Sequence, residues 1–179
     1  MSFEITTFES IEELVEGRSA VLNGLIDSGY ALFTAEQSTA IDFVNVRAEL
    51  TTVQELSKFY FSFKVPVPLS SGCTVKVQLP DDFELDAGNL ARIQGWGIFG
   101  RKSDLNFGID ESSRIIKIVD QCAYYSSANT AAELEIEVLK NPDKVKSTKS
   151  FILQVSDRSG KGIAEKVQGI FYKPTSGLV

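Results

Sequence analysis

The feature that most constrains this fold is a strict alternation of apolar and polar residues in the middle of the chain. Every second residue of the segment 59–65 is apolar: Phe59, Phe61, Phe63 and Val65. Successive side chains of a β-strand point to opposite faces of a sheet, so this period of two predicts a strand with one face in a core. The same alternation over Val75–Leu79 predicts a second strand, and we interpret the two as antiparallel neighbours.

Five further segments have strand-like patterns bounded by turn residues: Ile41–Arg47, Arg114–Asp120, Glu133–Val138, Phe151–Val155 and Gly169–Lys173. Counted together, about seven strands predict an all-β fold, an antiparallel two-sheet sandwich of immunoglobulin-like or jelly-roll-like type. The polar positions of Glu133–Val138 are all glutamates, and we expect them to form a solvated outer face of the sheet.

The sequence near the end of the chain is weakly similar to the sequence near its beginning, and we call this similarity the echo. Ser150–Val155 followed by Gly169–Phe171 has a counterpart in Ser2–Thr7 followed by Ala31–Phe33. An echo in fixed order is typical of a slice of a tandem array.

The echo predicts two domains. Residues 1–40 would be an N-terminal extension, made of the tail strands of a preceding repeat or of an assembly segment, and residues 41–179 would be the β-sandwich. Within the extension, Ser10–Ile26 has a weak helical pattern with Ser10 as its cap, so we expect a short helix or an ordered loop there.

Composition excludes several classes of function. The chain has no histidine, which removes the usual general base and the commonest transition-metal ligand. No carboxylate pair stands in a recognisable catalytic frame, so we predict that the protein is not an enzyme. A net charge of -6 disfavours nucleic acid and anionic membrane surfaces as partners, and no apolar run is long enough for membrane insertion.

The two cysteines, Cys73 and Cys122, each lie within or beside an apolar run. They form either a disulfide between two strands, which would indicate an oxidising compartment, or two buried free thiols. The rest of the sequence slightly favours the disulfide.

The segment Gly95–Gly100 matches the glycine spacing of dinucleotide-binding loops. That motif requires a buried strand before it and a helix after it, and neither is predicted here. We therefore expect a glycine-containing connection with Trp96 and Phe99 packed on the sandwich. The alternative is an aromatic platform for sugar rings formed by Trp96, Tyr124 and Tyr125.

A second candidate site is the acidic loop after Pro80, which carries Asp81, Asp82, Glu84 and Asp86. Calcium takes several carboxylate and carbonyl oxygens, so such a loop could bind it. The spacing is not that of an EF-hand, and a solvated loop is the simpler interpretation.

Several short motifs follow one another in a recognisable order. Pro68–Gly72 precedes a Val-x-Val-x-Leu-Pro strand and Asp82-Phe83, and later come Asn141-Pro142, Ser147–Phe151 and Asp157-x-x-Gly160. In this order the chain resembles the tandem β-sandwich repeats of very large secreted and cell-surface proteins of ciliated protists. The resemblance covers Ile41 to Val179, and it implies a secreted, repetitive, non-enzymatic role without catalytic residues.

These observations predict a structural or adhesive module that assembles with copies of itself or with neighbouring units in an extracellular or surface filament or coat. The candidate assembly residues are Phe3, Ile5, Leu32 and Phe33. The alternative function is a carbohydrate-binding module. We predict no required cofactor, although calcium could serve such a module. A cytoplasmic location would follow if Met1 is the native start and the cysteines are free.

Overall fold

The computed structural model describes residues 3–8, 25–31, 38–83, 92–122 and 125–176 of the chain, the first two ranges as backbone. The chain divides into two compact units, Met1–Gln37 and Ser38–Val179. The first unit contains β1 (Phe3–Phe8) and β2 (Leu25–Ala31), which pair antiparallel. Most of the predicted helix or loop at Ser10–Ile26 lies outside the described residues, and its last two residues belong to β2.

The second unit contains eleven strands among its described residues. They are β3 (Thr39–Ala40), β4 (Val44–Ala48), β5 (Leu56–Val65), β6 (Thr74–Gln78), β7 (Ile93–Gly97), β8 (Gly100–Asp104), β9 (Phe107–Asp110), β10 (Ile115–Ile118), β11 (Thr130–Lys140), β12 (Ile152–Ser156) and β13 (Gly162–Lys166). One sheet has the order β3-β13-β12-β6-β10-β9 and the other β4-β5-β11-β7-β8. All neighbours are antiparallel except β3 and β13. Thr39 and Ala40, expected in the extension, thus pair within the sandwich.

The alternation along each strand places the core between the two sheets. Phe59, Phe61 and Phe63 of β5 are at most 1% exposed, and so are Val75 and Val77 of β6 in the other sheet. Each fully buried side chain of this size contributes about 1.5 to 3 kcal/mol to folding. The predicted all-β antiparallel two-sheet sandwich is confirmed.

An aromatic cluster fills the middle of this core. The ring of Phe59 meets the rings of Phe83 and Tyr172 edge-to-face at centroid distances of 5.2 and 5.1 Å. Phe151 packs edge-to-face on Phe61 at 5.4 Å and also contacts Phe83. Edge-to-face pairs stabilise beyond the area that they bury, so these rings fix the distance between the sheets.

The prediction of about seven strands was wrong in number. It missed β3, β7, β8, β9 and β13, because β3 has two residues, β7 contains two glycines, and β8 is exposed along its whole length. It also placed a strand at Gly169–Lys173 where the structure has none. There the backbone bonds partly to side chains: the amide of Ile170 donates to Ser150 Oγ and that of Tyr172 to Thr148 Oγ1.

The interpretation of β5 and β6 as neighbours was also wrong. β5 pairs with β4 and β11, whereas β6 pairs with β10 and β12 in the opposite sheet. Alternation reveals which face of a strand is apolar, and both strands turn that face to the same core from opposite sides. The alternation in sequence therefore does not distinguish a neighbouring strand of the same sheet from a strand on the opposite side of the core.

Candidate functional site

The outer face of the five-stranded sheet carries a buried carboxylate. Glu135 of β11 is only 4% exposed. Its Oε1 accepts a hydrogen bond from Lys58 Nζ at 3.3 Å, and its Oε2 accepts one from Lys102 Nζ at 2.6 Å. The expectation of a fully solvated glutamate row is wrong at Glu135, because lysines from β5 and β8 cover it.

These lysines hold the pKa of Glu135 below its usual value. The hydrogen bond from Lys102 is the main cause, burial opposes it, and the hydrogen bond from Lys58 adds to it. The pKa of Lys58 is raised in turn by its hydrogen bonds to Glu137 and Glu135. Since both oxygens of Glu135 are engaged and its pKa is lowered, this carboxylate is a poor proton acceptor. The cluster joins strands and does not provide a catalytic base.

We expect Glu135→Gln to lower the free energy of unfolding by about 1.5 kcal/mol at about pH 7, because charge-assisted hydrogen bonds are lost. The folded-state pKa lies below the unfolded-state pKa, so ionised Glu135 stabilises the fold above the unfolded-state pKa. This contribution is lost as the pH falls through the folded-state pKa. Urea unfolding at about pH 7 and about pH 2 should therefore show a smaller difference between wild type and variant in acid. The matched control is Glu133→Gln, and an effect of Glu135→Gln that is equal at both pH values would contradict this role.

Trp96 lies on the same outer face, half-buried in β7. Lys102 Nζ sits 5.0 Å from the centroid of its ring, so the ammonium that binds Glu135 also contacts this ring. Tyr125 is 74% exposed, and among the described residues no ring contact joins it to Trp96. Tyr124 lies outside the described residues. Sugar binding by these aromatic residues stays a prediction.

The glycine run around Trp96 forms the hairpin of β7 and β8. Gly97 has a φ of +80°, and a Cβ there would collide with the carbonyl oxygen of Ala131. The chain then turns through Ile98 and Phe99, both buried. A strand follows at the place where a dinucleotide site needs a helix, so these glycines serve a tight turn and close strand packing.

The acidic loop after Pro80 is bound by lysines. Asp81 Oδ2 accepts a hydrogen bond from Lys149 Nζ at 2.6 Å, and Asp82 Oδ2 accepts one from the Lys149 amide at 2.8 Å. These hydrogen bonds are the main cause of the lowered pKa of each aspartate. Glu84 and Asp86 lie outside the described residues. No group of three metal-binding side chains occurs in the described ranges, and calcium binding stays a prediction.

Cys73 and Cys122 form a disulfide. Cys73 directly precedes β6, and Cys122 follows β10, its antiparallel neighbour. The bond therefore closes the common end of these two strands, where the Gly72 amide also donates to the Cys122 carbonyl at 3.2 Å. The two cysteines have Cα atoms 5.0 Å apart.

The first unit contains part of the segment predicted to mediate assembly, and that role stays a prediction. β1 and β2 run antiparallel from the pair Phe3 and Ala31 to the pair Phe8 and Leu25. Within the described residues they form a sheet of two strands alone. Phe3 and Ile5 lie on β1, while Leu32 and Phe33 lie outside the described residues. Each strand of this pair thus has one edge without a described partner.

The two sheets of the sandwich have four edge strands, which are β3 and β9 in one sheet and β4 and β8 in the other.

The structure contains no helix in its described ranges that is long and apolar enough to span a bilayer.

Sequence reasoning missed Lys58 and Lys102, the partners of Glu135. Lys58 is an outward position of the alternating strand β5, and Lys102 lies on the exposed strand β8. Such positions indicate that a residue faces solvent. Their pairing with Glu135 depends on strand order, because they lie 77 and 33 residues away from it.

No family model and no curated protein matches this sequence. Among solved structures, the bacterial hydrophobin BslA matches with a TM-score of 0.45 and 13% identity, covering 78% of this chain and 100% of that chain. The collagen adhesin of S. aureus matches with a TM-score of 0.44 and 13% identity, over 83% of this chain and 53% of that one. A collagen-binding domain from a Staphylococcus aureus adhesin matches with a TM-score of 0.40 and 13% identity, over 73% and 95%. At these values the similarities carry no conclusion about what this chain binds.

Proposed function

We propose that the protein is a non-enzymatic structural or adhesive module that works outside the cell and assembles with copies of itself or with neighbouring units. In this proposal the second unit is the scaffold, and the first unit, residues 1–37, is the segment that reaches a partner. The proposal includes membership in a tandem array of such sandwiches.

The observation that carries the proposal is the two-stranded sheet of β1 and β2 in a unit of its own. An isolated two-stranded hairpin is at best marginally stable in water, whereas a third strand or a packed face stabilises it. Pairing an edge of β1 or β2 that has no described partner with another sheet would provide that third strand. Addition of a strand to an exposed sheet edge is a common way for β proteins to associate.

Two further observations support the proposal. The disulfide between Cys73 and Cys122 fits an oxidising compartment, because cytosolic thiols are kept reduced. The buried carboxylate Glu135 binds two lysines through both of its oxygens, so the most buried acidic group of the described core strands has no free oxygen for acid–base catalysis.

Removing residues 1–37 should abolish assembly and leave the sandwich folded, because the second unit has its own hydrophobic core. Size-exclusion chromatography with light scattering, over a range of concentrations, should give oligomers for the full chain and a monomer for residues 38–179. Thermal unfolding of both proteins checks that the sandwich is intact. A shortened chain that assembles to the same size, or a full chain that stays monomeric at every concentration, would overturn the proposal.

A further inference from the structure

The edge strand β9 lacks the protection that the other edges of the sandwich have. Edge strands normally avoid association by being very short, by carrying charged side chains or by bulges. β3 has two residues, β8 carries the exposed charges of Arg101, Lys102 and Asp104 and pairs through a bulge, and β4 carries Arg47. β9 has no lysine, arginine or proline. Its one charge, Asp110, lies at its end and is bound within the following turn.

The outer face of the sheet has a gap at β9. Gly108 stands opposite Lys117 of β10, which stands opposite Lys76 of β6. A Cβ at Gly108 would meet no atom within 4 Å. The space belongs to a depression of ≈340 Å³ that Ile115, Asp110, Lys76 and Lys117 also line. A side chain from an added strand could enter here without displacing anything.

The two lysines at this gap have no acidic partner among the residues that the structure describes. No carboxylate in the described part of the chain pairs with Lys76 or Lys117, although the protein carries a net charge of -6. Four other lysines of the sandwich do have such partners, namely Lys58, Lys102, Lys146 and Lys149. Like charges directly opposite each other on neighbouring strands destabilise a sheet. A carboxylate placed over Gly108 would remove this repulsion.

The core side of β9 is also incomplete. Phe107 and Ile109 pack on the hydrophobic core but are only partly buried, because the sheet ends beside them. An added strand with apolar residues at alternate positions would extend the apolar layer over them. The required sequence is thus apolar, acidic, apolar.

β1 has this sequence at Phe3, Glu4 and Ile5. One edge of β1 pairs with β2, and the other edge has no partner among the described strands. We propose that β1 of a second copy of this chain adds to β9 in antiparallel orientation, with Glu4 opposite Gly108 and close to Lys117. Phe3 and Ile5 then lie on the core side, beside Phe107 and Ile109. This inference rests on the proposed function, since it names the surface that receives the first unit.

The two surfaces are different, so the contact is heterologous. Each copy offers β1 to one neighbour and β9 to another. Such head-to-tail contacts produce rings when the rotation between copies closes, and open filaments when it does not. The proposal therefore predicts chains of copies in preference to a closed two-fold dimer.

Charge reversal tests the contact in the full-length chain. We expect Lys117→Glu and Glu4→Lys each to weaken self-association about tenfold or more, because like charges then meet at Gly108. The double variant Glu4→Lys with Lys117→Glu should restore it. The matched control is Lys64→Glu, the same charge change on the other sheet. Sedimentation velocity over a concentration series measures association, and circular dichroism checks folding.

A second variant blocks the edge itself. Gly108→Glu fills the gap with a carboxylate that faces Lys117 and repels Glu4 of the added strand, in a place where a Cβ meets nothing, so it should stop association without lowering the thermal unfolding temperature. If removal of residues 1–37 abolishes assembly but Gly108→Glu and Lys117→Glu do not weaken it, β9 is not the acceptor and the proposed function still holds. Failure of the double variant to restore association would overturn the contact between Glu4 and Lys117. A shortened chain that still assembles would overturn the proposed function as well.

Discussion

Replacing Phe59 with alanine should lower the free energy of unfolding by about 4 kcal/mol, which is the upper part of the range for large-to-small substitutions in a core. Phe59 is fully buried and makes edge-to-face contacts with Phe83 and Tyr172. Its removal leaves a cavity between the sheets that these rings cannot fill, because each is held by other neighbours. Urea unfolding followed by Trp96 fluorescence measures the change.

The matched control for Phe59→Ala is Tyr125→Ala. Tyr125 is also aromatic but 74% exposed, so its removal should change stability by no more than about 0.5 kcal/mol. If both variants lost the same stability, the aromatic cluster would not be the centre of the fold.

Loss of the disulfide should have an effect of similar size. The bond between Cys73 and Cys122 closes a loop with a sequence separation of 49, and a loop of this length restricts the unfolded chain by about 4 kcal/mol in the chain-entropy model. We expect the double variant Cys73→Ala with Cys122→Ala to lose about this much stability, because its unfolded state is no longer cross-linked. Urea unfolding without reductant measures the difference.

Reductant supplies the control for the disulfide. It should lower the urea midpoint of the wild type towards that of the double variant and leave the double variant unchanged. A wild type that is equally stable with and without reductant, and that has two titratable thiols, would contradict the bond. That result would also remove the support that the disulfide gives to an extracellular location.

The strands that could be predicted are those with a regular apolar face. Alternation in Phe59–Val65 and Phe151–Val155 was sufficient, because burial of one sheet face imposes a period of two. Short or glycine-containing strands such as β7 and β9 carry too few apolar positions to show that period. Strand order was not predictable, because pairing between β5 and β11 or between β6 and β12 depends on packing across the whole sandwich.

The candidate sites show the same limit. The sequence correctly placed Glu133, Glu135 and Glu137 on one face of β11, but the burial of Glu135 results from lysines that only the fold brings near it. The sequence did not decide whether Cys73 and Cys122 are free thiols or a disulfide, since a buried thiol and a disulfide occupy similar apolar surroundings. Gly108 was overlooked because a glycine in a four-residue strand has meaning only when its cross-strand neighbours are known.

The pairing of β3 with β13 affects how the protein can be made. Thr39 and Ala40 pair with Ala164 and Glu165, and Thr51 Oγ1 lies 2.9 Å from Thr175 Oγ1 across 124 residues. Contacts between such distant parts of a chain slow folding, because the loop between them must close first. During synthesis the N-terminal residues of the sandwich are therefore translated well before their C-terminal partners. Until then β3 and β6, whose partners β13 and β12 are translated late, are exposed to strands of neighbouring nascent chains, so translation speed and chaperone access should govern the yield of folded protein.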